Sequence, residues 1–189
     1  MYTVKTRQTY LKVLGYYKGE ITGKEDKATK EAYKALQKDY FVNKKDIDGI
    51  YGNDTEILLI NAYRCRKLKY FNLEEFKCSC GGKYCTGYPA KLNNYLLRNI
   101  DKVREKFGPT TITSGLRCKK KNSLAGGVSN SKHLTGKAVD YHNKYTFSKS
   151  NRTKVKNYWR TLPNADYTYS EDDRPEFKYM SNTINSDVK

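Results

Sequence analysis

Residues 131–140 read Ser-Lys-His-Leu-Thr-Gly-Lys-Ala-Val-Asp, and this stretch decides how we interpret the second half of the chain. His133 and Asp140 supply a neutral imidazole and a carboxylate, ligand types that zinc accepts in catalytic sites. Gly136 suits a sharp turn between them, because glycine reverses the chain without strain at Cβ. Ala138-Val139 is typical of the start of a buried strand. We therefore expect the turn and the strand to bring His133 and Asp140 to one point.

Segments on either side of this stretch add polar groups to the same place. Thr110–Thr113 is predicted to be a short strand that ends at Ser114-Gly115-Leu116-Arg117. An arginine in that position is a good clamp for a substrate carboxylate. Residues 180–189 are predicted to close the chain as a strand. Asn185 and Asp187 would share one face of it, because residues two apart on a strand point the same way.

The beginning of the chain, from about Thr3 to Ala62, contains an internal repeat. A glycine-containing turn that ends near Thr29 precedes one helical pattern, and a similar turn that ends near Thr55 precedes another. Glycines permit the tight turns, and each threonine can act as the N-cap of the helix after it. The pattern predicts three short helices, at Val4–Leu14, Lys27–Tyr40 and Asp54–Cys65.

The remaining elements follow from periodicity and composition. Apolar residues at helical spacing predict an amphipathic helix over Leu92–Phe107, and a second helix is expected over Thr146–Leu162. Lys119-Lys120-Lys121 is predicted to be a solvated loop face. Pro163–Tyr179 is polar and acidic, so we expect a loop over the cleft.

Taken together, these motifs resemble those of a known peptidase family. The motifs are Ser114-Gly115-x-Arg117, Asn122, Gly126-Gly127, Ser131-x-His133 and Gly136-x-Ala138-x-Asp140. They resemble the VanY-type D-alanyl-D-alanine carboxypeptidase family of zinc peptidases, which also contains phage enzymes that cleave peptidoglycan stem peptides. The N-terminal repeat resembles the peptidoglycan-binding domain type 1 that accompanies many wall hydrolases. The alternative for this first domain is a helical bundle that packs on the second domain and binds nothing.

The two resemblances imply a fold and an activity. We expect an α+β protein with a three-helix peptidoglycan-binding domain at residues 1–66 and a zinc-peptidase domain with a small antiparallel sheet at residues 67–189. The implied activity is a peptidoglycan hydrolase, or endolysin, that uses zinc-activated water to cut a peptide bond of the stem peptide. The alternative is a non-catalytic cell-wall-binding protein with a degenerate peptidase fold.

The resemblance also assigns the site residues and exposes a departure from the family. His133 and Asp140 match two zinc ligands, and Arg117 with Ser131 would bind substrate. The third ligand of the family is a histidine in a C-terminal His-x-Asp pattern, and alignment on the final Asp-Val-Lys puts Asn185 at that position. An amide oxygen is a poor zinc ligand beside imidazole. Asp187 matches the aspartate of that pattern.

Three explanations of Asn185 are open. Asn185 is a natural or engineered inactivating replacement of histidine, or His142 completes the site, or the domain has lost catalysis and retained binding. Many relatives carry the general base three residues before the last ligand, where this chain has Asn182. Asp187 is then the nearest candidate for the catalytic base, although it could instead support a ligand.

A group of cysteines forms a second candidate site. Cys78, Cys80 and Cys85 surround a Gly-Gly turn, and Cys118 follows Arg117 directly. Such a group can converge on one structural zinc ion, which would anchor the loop beside Arg117 without taking part in catalysis. Free or disulfide-bonded cysteines that pin the loop are the alternative. A reducing compartment favours thiols or metal ligation.

Charge and hydropathy limit the partners. The formal net charge is +17, from 37 Lys and Arg against 20 Asp and Glu, which implies an anionic partner. Nucleic acid and a phosphate-rich cell wall are equal electrostatic targets, but no helix-turn-helix or base-stacking motif supports nucleic acid. We therefore expect peptidoglycan as the partner and no nucleic acid. No apolar run approaches the roughly 20 residues that span a bilayer, so no membrane insertion is expected.

The N-terminal sequence predicts a location. Residues 2–7 are polar and do not resemble a secretory signal. We therefore expect the location of a phage endolysin, which accumulates in the host cytoplasm and reaches the wall after release by a holin.

Overall fold

The computed structural model describes residues 1–174, 176 and 180–189, and within them the chain forms six α-helices and four strands. The helices are α1 (Val4–Val13), α2 (Lys27–Tyr40), α3 (Asn53–Cys65), α4 (Asn94–Phe107), α5 (Lys119–Leu124) and α6 (Lys149–Arg160). The strands are β1 (Thr110–Ser114), β2 (Ala138–Asn143), β3 (Ala165–Ser170) and β4 (Ile184–Val188). Helices α1 to α3 precede the sheet, which confirms the predicted α+β class.

The four strands form one antiparallel sheet in the order β1-β2-β4-β3. Strand β2 lies in the interior, where Asp140 is paired with Ser114 on β1 and with Asn185 on β4. Every residue of β4 is buried. Trp159 on α6 is fully buried and donates from Nε1 to the Asp187 carbonyl oxygen at 3.0 Å, so α6 closes one face of the sheet.

Two buried glutamines explain the repeat in the three-helix unit, which comprises α1, α2 and α3. Gln8 Oε1 accepts from Gly23 N at 2.8 Å, and its Nε2 donates to Lys24 O and to Thr29 Oγ1, each at 2.9 Å. The glycine turn before α2 is therefore bound by the side chain of a glutamine from the preceding helix, α1.

Gln37 does the same for the second turn. Its Oε1 accepts from Gly49 N at 2.8 Å, and its Nε2 donates to Ile50 O at 3.1 Å and to Thr55 Oγ1 at 2.9 Å. The prediction that Thr29 and Thr55 are N-caps is wrong. Asp26 caps α2, its carboxylate accepting from Thr29 N at 2.8 Å, and Gly52 is the N-cap residue of α3. The two threonine hydroxyls instead accept from the glutamines.

The three-helix unit and the sheet unit, which comprises α4 to α6 and the four strands, share a hydrophobic core. That core contains Leu58 and Leu59 of α3 together with Leu96 and Ile100 of α4. Asn61 is fully buried in α3 and forms two hydrogen bonds to the segment before α4. It donates to Ala90 O at 2.9 Å and accepts from Leu92 N at 2.8 Å.

Several element boundaries differ from the predictions for local reasons. Helix α4 begins at Asn94, later than Leu92, because the Asn93 side chain caps it. The loop predicted at Lys119-Lys120-Lys121 is wrong, since these residues open α5, with the Cys118 sulfur accepting from Lys121 N. Helix α6 begins after the cap Ser148 and is preceded by a 3-10 turn over Lys144–Phe147.

The loop predicted over Pro163–Tyr179 is wrong for residues 165–170, which form β3. Its inward side chains are polar, and this concealed the strand pattern. Thr168 Oγ1 donates to Asn185 O at 2.9 Å, and Ser170 Oγ accepts from Lys156 Nζ at 3.0 Å. Residues 175 and 177–179 of the predicted loop lie outside the described residues.

Over the described ranges 1–174, 176 and 180–189, no helix combines the length and the apolar character needed to cross a bilayer.

Replacement of Gln37 by alanine should destabilise the three-helix unit, because it leaves the Gly49 N–H and the Thr55 hydroxyl without this partner. An unsatisfied buried polar group costs about 1–3 kcal/mol, so we expect a loss of that order in the free energy of unfolding, measured by urea denaturation. Lys38→Ala, at an exposed position on the same helix, is the control and should change stability little. Equal stabilities of the two variants would contradict the role of Gln37.

Candidate active site

The predicted site residues lie in a cleft of about 290 Å³ over the two central strands of the sheet, β2 and β4. A 3-10 turn over Lys132–Thr135, strand β2 and strand β4 supply its floor, and the segment after β1 supplies one wall. The cleft is lined by Arg117, Ser131, Lys132, His133, Asp140, Tyr167, Tyr169, Arg174, Asn185 and Asp187, among others. The structure thus brings together the residues to which the sequence assigned peptidase roles.

The His133 ring is held in one orientation by the backbone. Its Nδ1 lies 2.7 Å from Gly115 O, and because a carbonyl only accepts, Nδ1 carries the proton. The Nε2 lone pair then faces the cleft, as in a metal-binding histidine whose other nitrogen is hydrogen-bonded to a carbonyl. Gly115 is required there, because a Cβ would lie 2.6 Å from Phe76 O.

Asp140 is buried with a polar partner on each oxygen. Its Oδ1 accepts from Asn185 Nδ2 at 2.6 Å, and its Oδ2 accepts from Arg117 Nη2 at 2.5 Å. Arg117 is held in turn by Ser114, whose Oγ accepts from Nε at 2.8 Å. Burial would raise the pKa of the Asp140 carboxyl. The Arg117 charge and the hydrogen bond from the Asn185 amide favour the ionised carboxylate, and this pKa lies below its ordinary value.

Asn185 bridges the two other site residues. Its Nδ2 lies 3.1 Å from His133 Nε2 and 2.6 Å from Asp140 Oδ1. The two amide hydrogens therefore point at the two lone pairs that a metal ion would use. This orientation satisfies a neutral His133 and an ionised Asp140 at the same time.

The donor set fits zinc in part. His133 Nε2 and Asp140 Oδ1 are 3.5 Å apart. Two ligand atoms about 2.0–2.1 Å from one tetrahedral zinc ion would be about 3.3–3.4 Å apart, so these two residues fit. Asn185 does not fit in the orientation observed, because it offers N–H donors where a third ligand atom would be needed. His133 and Asp140 alone do not complete the zinc site.

Asp187 lies on the cleft side of β4 and is anchored from two directions. Its Oδ1 accepts from Tyr167 N at 2.8 Å and from Lys132 Nζ at 3.2 Å. Lys132 also forms an ion pair with Asp166. Burial raises the pKa of the Asp187 carboxyl, and the contacts with Tyr167 and Lys132 offset this only in part. A carboxyl with a raised pKa in a cleft is a candidate for acid–base work.

His142, the alternative third ligand, and Asn182, at the position of the general base in many relatives, lie outside the cleft lining. The His142 ring lies 6.5 Å from the Phe147 ring, measured between centroids. Asn182 has a positive φ of 60°, and its Oδ1 accepts from Arg152 Nη1 at 3.2 Å. Neither contacts the His133–Asp140–Asn185 cluster among the hydrogen bonds of the described residues.

The sequence did not identify the wall formed by β3. Tyr167 and Tyr169 line the cleft, their ring centroids are 5.5 Å apart, and the Arg174 guanidinium lies over both rings. Lys132 was missed as well, although it follows Ser131 directly. Strand β3 could have been predicted from the alternation of tyrosine with polar residues over residues 166–170, which is typical of a strand.

The four cysteines of the second candidate site also converge. The Sγ atoms of Cys78, Cys80, Cys85 and Cys118 all lie within 4.8 Å of one another. None of the cysteines, all of which lie within the described residues, forms a disulfide. The hydrogen bond with Cys85 lowers the pKa of the Cys78 thiol from its ordinary value.

Comparison with known families gives two matches. The family model of peptidase M15 matches residues 69–174, which is more than half of the chain. That segment contains Arg117, His133 and Asp140 and ends before β4. The family model of a peptidoglycan binding domain matches residues 2–56. No curated protein matches the chain.

A glycine-to-alanine pair tests how the 131–140 turn is held. Gly136 and Gly126 have φ values of 68° and 67°, so alanine is strained equally at both, by about 1–2 kcal/mol. Only at Gly136 would a Cβ collide with the backbone, at Lys91 O, whereas nothing lies within 4 Å at Gly126. We expect Gly136→Ala to cost about 1–3 kcal/mol more than Gly126→Ala in urea unfolding. Equal losses would show that Lys91 does not constrain the turn.

Proposed function

Since this chain belongs to the peptidase M15 family and also carries a peptidoglycan-binding domain, we propose that it is a peptidoglycan hydrolase that cleaves a peptide bond of the stem peptide. The observation that carries the proposal is the placement of His133 Nε2 and Asp140 Oδ1 at 3.5 Å, a separation suited to one zinc ion. The N-terminal domain would hold the enzyme on the wall. The same combination supports an endolysin role, in which the protein reaches the wall from the host cytoplasm.

His133 and Asp140 would hold the zinc ion. When bound, zinc supplies a polarised carbonyl and a water of lowered pKa. The remaining work belongs to the side chains of the cleft. Arg117 would orient a carboxylate of the peptide, and Ser131 lies beside it in the lining. Asp187, with its raised pKa, would accept a proton at its free carboxylate oxygen.

Asn185 makes this site a weak one. For a third ligand atom to face a metal ion, the amide must break its hydrogen bonds to His133 and Asp140 and turn its oxygen inward. Loss of even a group that only orients a ligand lowers metal affinity or activity about 10–100-fold. We therefore propose that the chain binds zinc weakly at the cleft and is weakly active or inactive as a peptidase.

A second candidate function is non-catalytic binding of the cell wall, and the Asn185 bridge is the observation that favours it. The amide satisfies both partners without any metal, so the cleft is a stable polar cluster in its own right. Its cationic and aromatic wall, formed by Arg174 with Tyr167 and Tyr169, would still bind a peptide.

Asn185→His should raise zinc affinity at the cleft by at least 10–100-fold and switch on cleavage of purified walls, because imidazole supplies the missing ligand. Zinc affinity is measured by competition with a chelator, and cleavage by mass spectrometry of released peptides. Asn157→His, at an exposed position on α6, is the matched control and should change neither. Equal zinc affinity and equal wall lysis in the chain and in Asn185→His would reject the weak-site proposal.

His142→Ala separates the remaining explanation. If His142 completed the site, the unaltered chain would be active and this variant would abolish lysis. Since His142 lies outside the cleft lining, we expect His142→Ala to leave the zinc affinity and the wall lysis of the unaltered chain unchanged.

The full chain should co-sediment with purified cell walls at moderate salt and should not shift duplex DNA under the same conditions. The net charge of +17 favours binding to the cell wall and to DNA alike, and only the peptidoglycan-binding domain favours the wall over DNA. A DNA shift without wall binding would contradict the proposed partner.

A further inference from the structure

The segment of residues 77–93 contains no helix and no strand, although it lies between the two units of the protein. Three of the chain's five cysteines are in it, and a fourth, Cys118, comes from the segment after β1. We propose that Cys78, Cys80, Cys85 and Cys118 bind one structural zinc ion, separate from the peptidase cleft. This site does not depend on the proposed activity.

The sulfur positions suit a tetrathiolate ion. All four Sγ atoms lie within 4.8 Å of one another, and those of Cys80 and Cys85 are 3.5 Å apart. Zinc–sulfur bonds of about 2.3 Å in a tetrahedron place sulfurs about 3.8 Å apart, within this range. A disulfide needs its sulfurs at about 2.05 Å, so the arrangement is much closer to a metal site.

Two of the four sulfurs accept hydrogen bonds from backbone N–H groups. Cys118 N donates to Cys78 Sγ at 3.4 Å, and Lys121 N donates to Cys118 Sγ at 3.5 Å. Backbone N–H groups directed at thiolates stabilise their charge. Four thiolates around one zinc ion carry a net charge of −2, and five lysines flank the ligands in the sequence: Lys77, Lys83, Lys119, Lys120 and Lys121.

The loop has few backbone bonds of its own. Cys78 N donates to Gly87 O at 2.8 Å, and Lys83 N donates to Cys80 O at 3.1 Å. The turn between Cys80 and Cys85 contains Gly81 and Gly82, with φ values of 61° and 81°. A metal ion would supply the order that regular secondary structure does not, since metal binding at such sites is folding free energy.

The loop also contacts the three-helix unit. Gly82 packs so closely on Val42 that a Cβ would lie 2.8 Å from the Val42 Cβ. Asn43 Nδ2 donates to Gly82 O at 3.0 Å. The ion would therefore stabilise the junction between the two units as well as the loop.

The same ion would also stabilise the segment after β1, which lines the cleft. Cys78 and Cys118 lie on two segments that already run side by side, since Leu116 N donates to Phe76 O at 2.9 Å. The second segment carries Arg117 and also Gly115, whose carbonyl binds His133 Nδ1. Removal of the ion should loosen Arg117 and the His133 partner together.

The test uses the full chain purified under reducing conditions without added metal. To count only the cysteine site, zinc is measured in a His133→Ala background, which removes a ligand from the cleft. We expect one equivalent of zinc that survives dialysis, and a thiolate-to-metal charge-transfer band after exchange with Co²⁺. Cys80→Ser and Cys85→Ser, at half-buried positions, should each lose that equivalent and lower the Tm. The matched change Cys65→Ser, in α3, should keep the zinc.

Two further measurements keep the test decisive if the serine variants do not fold. Cys85→His, which retains a zinc ligand, should keep one equivalent and alter the Co²⁺ spectrum. In the unaltered chain, a mercurial reagent should release the zinc as it titrates the four thiols. Zinc content unchanged by Cys80→Ser, absence of zinc from the His133→Ala chain, or a disulfide among the four cysteines in unreduced peptide maps would each overturn the proposal.

Discussion

A buried carboxylate is costly unless each oxygen has a partner, and the Asp140 carboxylate in the interior of the sheet is the group around which the site is arranged. Its neighbours on both sides of β2 satisfy it. Arg117 arrives from the end of β1, and Asn185 arrives from β4 in direct register. A shift of one residue between β2 and β4 would turn Asn185 to the other face of the sheet. The strand register is therefore also the condition for the site.

The amide at position 185 satisfies the polar cluster of the cleft. In the observed state its two hydrogens occupy the acceptors of His133 and Asp140, and the polar groups of the cluster are satisfied. With histidine there, no such pair of donors would exist, and a metal ion would be the natural partner of both residues. The proposed function rests on this one side chain, because the amide satisfies the cluster by hydrogen bonds, whereas an imidazole would leave His133 and Asp140 available to a metal ion.

Buried amides also organise the three-helix unit and join it to the sheet unit. Gln8 and Gln37 each bind a glycine turn in the three-helix unit, and Asn61 joins that unit to the segment before α4. Each of these side chains offers both a donor and an acceptor to backbone groups that have no helical or strand partner. The core shared by the two units means that the three-helix unit also stabilises the sheet unit.

The sequence by itself determined the α+β class and the three N-terminal helices, because helical periodicity and glycine turns act over a few residues. It also pointed to His133 and Asp140, whose side-chain types suit zinc, whereas only the resemblance to a zinc-peptidase family placed Asn185 at the position of a third ligand. Only the tertiary structure decided that Asn185 donates to both partners. Its orientation depends on the pairing of strands far apart in the chain. Strand β3 was missed for a related reason, since Thr168 and Ser170 face inward and find polar partners there that no local pattern predicts.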